Sequence, residues 1–83
     1  KTTHGEYSHN AEIVQSMKET IRTSCGWDNL SHDQKESIDM TLHKIARITT
    51  GDPNWLDSWY DIIGYNQLII NRLEKEGVKR IQK

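Results

Sequence analysis

Apolar residues recur at steps of three and four along most of this chain, and that spacing constrains the fold more than any other feature. The first such run predicts a helix over residues 11–24, with one apolar stripe made of Ile13, Val14, Met17, Ile21 and Cys25. Ser8 or Asn10 can cap its start by accepting a hydrogen bond from a free N–H group of the first turn. Gly26 can end it, because glycine tolerates the left-handed conformation at a helix terminus.

The second run predicts a helix over residues 32–49 and has the clearest start signal in the chain. Ser31 and Gln34 have the spacing of a capping box, in which each side chain accepts a hydrogen bond from the backbone N–H of the other residue. One face of the helix carries Ile38, Leu42, Ile45 and Thr49. Gly51 and then Pro53, which cannot continue a helix, predict its end.

The third run predicts the longest helix, over residues 55–76 and ended by Gly77, with apolar residues on two faces. The main stripe is expected in the core and comprises Trp55, Trp59, Ile62, Ile63, Ile69, Ile70 and Leu73. At about 100° per residue, a second face comprises Asp57, Asp61, Gly64, Tyr65 and Leu68. A helix with two partly apolar faces usually packs on more than one neighbour. Gly64 costs about 1 kcal/mol relative to alanine, so we expect it to allow the close approach of another element.

Three helices joined by short connections predict an all-α fold in which consecutive helices pack antiparallel. Residues 1–83 form a single domain, with an extended or frayed segment at 1–7 and a basic tail at 78–83. A chain of this length hides only about 60% of its unfolded surface, so its core is small. Together with the spare face of the third helix, the small core predicts a homo-oligomer in the form of a helical bundle.

Composition excludes several classes of protein. The 11 Lys and Arg residues against 12 Asp and Glu give a net charge of -1, which argues against general nucleic-acid binding. No apolar stretch approaches the ~18 residues that a membrane span requires. A single cysteine, Cys25, excludes an internal disulfide, and we expect it to be a small buried side chain.

Two acidic and two basic residues are the best candidates for a chemical site. Asp57 and Asp61 stand one helical turn apart, a spacing at which two carboxylates can share Mg²⁺. Lys44 and Arg47, on the polar side of the second helix, could contact phosphate oxygens. A structural role is also open, because acidic groups near a helix N-terminus and basic groups near a C-terminus interact favourably with the helix dipole.

Several motifs occur together in the second half of the chain: His43-Lys44-Ile45-Ala46-Arg47-Ile48, then Gly51-Asp52-Pro53, Asp57 and Asp61-Ile62-Ile63-Gly64-Tyr65. The first half contributes Thr3-His4-Gly5, Asn10-Ala11 and the turn at residues 27–30. This combination, which covers nearly the whole chain, resembles a small domain of unknown function common in tailed phages and prophages. The resemblance implies a phage-encoded protein of the host bacterium's cytoplasm and brings no established activity.

A weaker resemblance, to the MazG-like all-α nucleotide pyrophosphohydrolases, is carried by Asp57 and Asp61 ahead of an apolar helix. Those enzymes are oligomeric and hold Mg²⁺ with acidic residues from two adjacent helices. The resemblance implies that Asp57 and Asp61 are metal ligands. The chain departs from the family at its first motif, a tight glutamate cluster, for which only Glu36 and Asp39 could stand in.

Two functional hypotheses follow. The favoured one is a phage or prophage accessory protein that binds a host protein or a small anionic, nucleotide-type ligand without catalysis or a cofactor. Its ligand-binding residues would be Lys44, Arg47, Asp57, Asp61 and Tyr65. The alternative is a Mg²⁺-dependent nucleoside triphosphate pyrophosphohydrolase, with Asp57 and Asp61 on the metal and the two basic residues on the phosphates.

Overall fold

The computed structural model describes residues 3–81, with side chains from Tyr7 to Ile81. Its elements are α1 (Thr3–Arg22), a single turn of 3₁₀-helix (Trp27–Asn29), α2 (His32–Thr50) and α3 (Leu56–Lys75). Within that range the structure contains no strand. The predicted all-α class and the number of long helices are therefore confirmed.

Helix α1 begins eight residues earlier than predicted and ends two residues earlier. The expectation of an extended or frayed segment at 1–7 is wrong over residues 3–7, which are helical, while residues 1 and 2 lie outside the described range. Once a helix has formed, it can be extended by further residues at little cost in free energy, even when their side chains are not packed. These first turns therefore carry no apolar periodicity from which they could be predicted. At the other end the chain leaves the helix at Thr23, so Cys25 lies in the following turn. Cys25 is exposed there, and the prediction that it is buried is wrong.

Helix α2 starts at the predicted capping box. The Gln34 backbone N–H donates to Ser31 Oγ at 3.4 Å, and the Ser31 backbone N–H donates to Gln34 Oε1 at 2.9 Å. At the C-terminal end the Gly51 N–H donates to the Arg47 carbonyl oxygen at 3.0 Å. A Cβ atom on residue 51 would lie only 3.0 Å from that same oxygen, which explains why a glycine follows the helix.

Helix α3 ends in a Schellman motif, as the position of Gly77 predicts. Gly77 has a φ of 93°. Its N–H donates to the Glu74 carbonyl oxygen at 3.0 Å, and the Val78 N–H donates to the Leu73 carbonyl oxygen at 3.0 Å. Both bonds satisfy carbonyl groups that the helix itself leaves without partners.

The three helices are arranged with α2 in the middle, and α1 and α3 make little direct contact with each other. On one side of α2, Asn10 near the start of α1 donates to Thr50 at the end of α2. On the other side, the Ser37 hydroxyl in α2 donates to the Tyr65 carbonyl oxygen midway along α3 at 3.1 Å, and Arg72 near the end of α3 donates to Asp33 at the start of α2 at 2.7 Å. The Asn10–Thr50 and Asp33–Arg72 contacts join opposite ends of neighbouring helices, so the predicted antiparallel packing is confirmed.

The α2 residues that contact α1 and those that contact α3 lie on nearly opposite sides of the helix. Leu42 and Thr50 face α1, whereas Ser37 and Lys44 face α3. At 3.6 residues per turn the two sets are separated by roughly 150° around the α2 axis. The helices thus form an open layer instead of a bundle closed around a shared core. The radius of gyration agrees, at 15.0 Å against about 12 Å for a compact chain of this length.

The core of this layer is small and excludes part of the predicted α3 stripe. The fully buried apolar side chains among the described residues are Val14, Leu42 and Ala46. Trp55, Trp59, Ile63 and Ile70 are exposed, so their predicted place in the core is wrong. The apolar stripe of α3 is broader than the strip of α3 surface that α2 can cover. The α3 residues at the centre of the contact with α2 are Ser58, Tyr65 and Ile69.

The predicted second face of α3 is also divided between packing and solvent. Tyr65 and Asp61 turn towards α2, while Asp57, Gly64 and Leu68 are exposed. A Cβ atom on Gly64 would meet nothing within 4 Å. The expectation that Gly64 admits a closely packed neighbour is therefore wrong within the single chain.

We expect Gly77→Ala to lower the free energy of unfolding by about 1 kcal/mol, because a side chain disfavours the left-handed backbone at this position. Chemical denaturation monitored by circular dichroism measures the change. Gly26→Ala is the matched control, since Gly26 has a φ of -96° and open space around it. Equal effects of the two substitutions would contradict a specific role for the Schellman glycine.

Candidate functional site

Lys44 and Asp61, two of the predicted ligand-binding residues, form an ion pair across the α2–α3 contact. The Lys44 Nζ atom lies 2.9 Å from Asp61 Oδ2. The Lys44 side chain is mostly covered, with 21% of it exposed, because its aliphatic part lies along the helix contact. Each residue therefore compensates the charge of the other, and the pair joins the two helices in register.

The other predicted residues do not complete a pocket around this pair. Arg47 and Asp57 are exposed, and among residues 7–81 neither forms an ion pair within 4 Å. Tyr65 is half-buried, and its carbonyl oxygen accepts the hydrogen bond from Ser37. The five residues thus lie along one side of the α2–α3 pair.

The residues present do not fit a Mg²⁺ site. In the described part of the chain, no group of three or more His, Cys, Asp or Glu side chains is close enough to hold a metal ion. The Lys44 ammonium already lies against the Asp61 carboxylate, where a cation shared with Asp57 would have to bind. Asp39, a stand-in for the missing acidic motif, is on the α1 side of α2, where its Oδ2 lies 3.8 Å from Arg22. The acidic residues of the two helices are therefore not brought together.

Arg72 forms the strongest polar cluster of the described residues, and sequence reasoning missed it. Its guanidinium donates to both carboxylate oxygens of Asp33, from Nε to Oδ2 at 2.7 Å and from Nη2 to Oδ1 at 2.9 Å. It also donates to Ser31 Oγ at 2.8 Å and to both carboxylate oxygens of Glu76 at 3.1 Å. The cluster fastens the end of α3 to the capping box of α2.

The Arg72 cluster changes the acid–base properties of Asp33. Hydrogen bonds from the Arg72 guanidinium, and then from the Ser31 hydroxyl, lower the pKa of the Asp33 carboxyl group from 3.8 to about 2. Both bonds stabilise the charged form of the carboxylate. The signal in the sequence is indirect: Asp33 lies about three turns before Lys44, and Arg72 lies about three turns after Asp61. Antiparallel register then places Asp33 opposite Arg72.

One apolar hollow lies between α1 and α2, away from the predicted ligand-binding residues. It has a volume of about 280 Å³ and is lined by Ser16, Met17, Thr20, Ile21 and Leu42. None of these side chains is charged. The hollow therefore has no cationic side chain to pair with a phosphate.

A second apolar region lies at the start of α3, and we call it the α3 edge: Trp55, Leu56 and Tyr60. These side chains are 60%, 66% and 67% exposed. The neighbouring Trp59 is held in place because its indole N–H donates to the Pro53 carbonyl oxygen at 2.8 Å. The α3 edge thus consists of three large apolar side chains in contact with solvent, within the first turns of α3 and beside the hydrogen-bonded Trp59.

None of the helices in residues 3–81 is long and apolar enough to cross a membrane. No protein-family model matches the sequence, and no curated protein or solved structure is significantly similar to it.

We expect the stability of the protein to fall as the pH is lowered from about 4 to about 2, and Asp33→Asn to reduce that fall. A carboxyl group whose pKa is lower in the folded state stabilises the fold above its unfolded pKa of about 3.9, and this stabilisation is lost as the pH drops through the folded value. Thermal unfolding followed across this pH range measures the effect. Asp28→Asn is the control, since Asp28 is an exposed carboxylate outside the Arg72 cluster. Identical pH profiles for wild type and Asp33→Asn would exclude the cluster as the cause.

Proposed function

We propose that this protein is a non-catalytic binding module that recognises another protein through the α3 edge. The observation that carries the proposal is the exposure of Trp55, Leu56 and Tyr60 side by side at the start of one helix. Large exposed apolar patches on small soluble proteins mark interaction sites, and Trp and Tyr are enriched among the residues that dominate binding energy. The hydrogen bond of Trp59 to Pro53 orders the neighbouring surface before binding, which reduces the entropy cost of association.

The surroundings of the α3 edge indicate the chemistry of the partner. Asp52 and Asp57 flank it, are exposed, and have no ion-pair partner within 4 Å in the described part of the chain. An apolar pocket with basic residues at its rim would complement this surface, because unlike charges at a rim favour association and correct orientation. In keeping with the resemblance to phage domains, we propose that the partner is a protein of the host bacterium's cytoplasm.

A small anionic or nucleotide-type ligand is less well supported than a protein. Lys44, the less exposed of the two predicted phosphate-binding residues, is paired with Asp61. Arg47 alone would offer a single exposed cation without a concave surface around it. The pyrophosphohydrolase alternative needs a shared cation at Asp57 and Asp61, and the Lys44 contact opposes that arrangement. The module is also proposed to work as a homo-oligomer, because the described residues contain only three buried apolar side chains, which is a small core.

Site-specific photo-crosslinking tests the proposed surface. We expect a photoreactive phenylalanine at Tyr60 to capture a discrete protein from extract of the host bacterium, whereas the same group at Leu68 does not. Leu68 is the matched control, since it is 67% exposed and lies on a different face of the same helix. Equal capture from both positions, or none from either, would contradict the proposal.

The captured partner then allows a quantitative measurement with purified proteins. We expect Leu56→Lys to weaken binding about tenfold or more in titration calorimetry, the effect of removing an apolar side chain at the centre of an interface. Leu68→Lys adds the same charge at an equally exposed leucine and should leave the affinity unchanged. A partner that binds both variants with equal affinity would contradict the role of the α3 edge.

A further inference from the structure

The two sides of the open layer differ sharply in charge. Two ion pairs flank α2 on one side: Arg22 with Asp39 towards α1, and Lys44 with Asp61 towards α3. The opposite side, which we call the layer face, contains Ile13 and Met17 on α1, Ile38 and Ile45 on α2, and Trp59 and Ile70 on α3.

The placement of these six residues follows from helix geometry and the observed contacts. Ile38 and Ile45 lie on α2 between Leu42, which faces α1, and Ser37, which faces α3. Met17 lines the hollow beside Leu42, so the same side of α1 continues the surface. On α3, Trp59 and Ile70 lie across the helix from Asp57 and next to the line of contact with α2.

The layer face is uncharged. The other side chains that project from it are Ser, Thr, Asn, Gln or apolar, and none between Ile13 and Leu73 is Asp, Glu, Lys or Arg. In a chain with 28% charged residues, such a surface is unexpected on a side that faces water. Ile45, in the centre of the middle helix, is 36% exposed, and Ile70 is 46% exposed. A second layer of structure would cover both.

We propose that the second layer is another copy of this chain, packed face to face about a twofold axis to give a six-helix, two-layer dimer. This deepens the oligomeric part of the proposed function. The layer face adjoins the α3 edge at Trp55, one turn before Trp59, whereas Leu56 and Tyr60 lie further round the helix and outside the layer face. Helical domains are built from at least two packed layers, because a helix must bury its apolar side against another element. A single copy contains one layer only.

Three properties of the layer face favour a second copy over another occupant. The single chain lacks a large core, and the layer face would supply the greater part of one when it is covered. The protein that covers this face must therefore be present whenever the chain is folded. A second copy of the chain always meets that condition. In a twofold dimer, the same surface of both copies meets at the interface. An uncharged face can pair with its own copy in this way without repulsion between like charges. A membrane surface would instead favour basic residues around the apolar side chains, whereas Asp and Glu slightly outnumber Lys and Arg in this chain.

The size of the face also suits a stable dimer. Three helices about 30 Å long and spaced about 9 Å apart cover on the order of 800 Å². Each partner in a protein–protein interface of standard size buries about 800 Å². The interface would place α2 of one copy across α2 of the other, with Ile45 near the centre.

Solution mass and thermal stability test the dimer. Light scattering coupled to size-exclusion chromatography should give twice the chain mass of 9.7 kDa for the wild type and for Leu68→Glu. Ile45→Glu places a charge in the centre of the layer face and should give the monomer mass or unfold. The melting temperature of the wild type should rise with protein concentration over about a hundredfold range, because unfolding is then coupled to dissociation. A wild-type monomer with a concentration-independent melting temperature would overturn the proposal.

Disulfide trapping identifies the face and covers the case in which Ile45→Glu does not fold. In a Cys25→Ser background, Ile45→Cys should form an oxidised covalent dimer and Leu68→Cys should not. A dimer trapped only through Leu68→Cys would show that another surface is used and would also overturn the proposal. Photo-crosslinking from Tyr60 is independent of these results, so loss of the dimer and loss of the partner-binding surface can be told apart.

Discussion

The position of α2 between two helices that hardly touch each other determines most of what this protein exposes. Each outer helix packs along one side of α2 and makes little contact with any other element of residues 3–81. An apolar stripe wider than one line of contact then remains partly in water, as Trp59 and Ile63 do on α3. In a closed three-helix bundle these side chains would meet α1. The exposed apolar surface is therefore a consequence of the packing order and does not require an unusual composition.

Polar groups fix the register of the α2–α3 pair because they join particular residues of the two helices. Ser37 and Ser58 are buried, and small side chains at these positions allow the two backbones to approach closely. The Lys44–Asp61 pair and the Arg72 cluster then join the helices about three turns apart. Ion pairs at partly exposed positions add little to the free energy of folding. Their main effect is on specificity, because a shift of register would separate both sets of charges at once.

Features that depend on a few consecutive residues could be predicted from the sequence. The capping box at Ser31 and Gln34 and the glycine stops at Gly51 and Gly77 are of this kind, since the groups that satisfy the helix ends are close in the chain. The antiparallel order also followed from the short connections. The start of α1 was missed because its first turns are helical without an apolar stripe to reveal them.

Features that depend on which helix side meets a neighbour could not be predicted in this way. The sequence of α3 shows that the residues of the stripe are apolar. It does not show that only part of the stripe packs against another helix of the chain. The same limit applies to Arg72, whose contacts with Asp33 join residues distant in sequence. Two of the proposed ligand-binding residues, Lys44 and Asp61, lie 2.9 Å apart, and each compensates the charge of the other.

Charge segregation connects the fold with the proposed function. The net charge of -1 conceals an uneven distribution, with ion pairs on one side of the layer and uncharged side chains on the other. On the charged side, Arg22 with Asp39 and Lys44 with Asp61 compensate each other across helix contacts, while Arg47 and Asp57 stay exposed at the surface. On the uncharged side, desolvation costs little because few polar groups must give up water. Association through apolar surfaces is therefore the activity that we propose for this chain, and ligand chemistry at Lys44 and Asp61 would first require their ion pair to be broken.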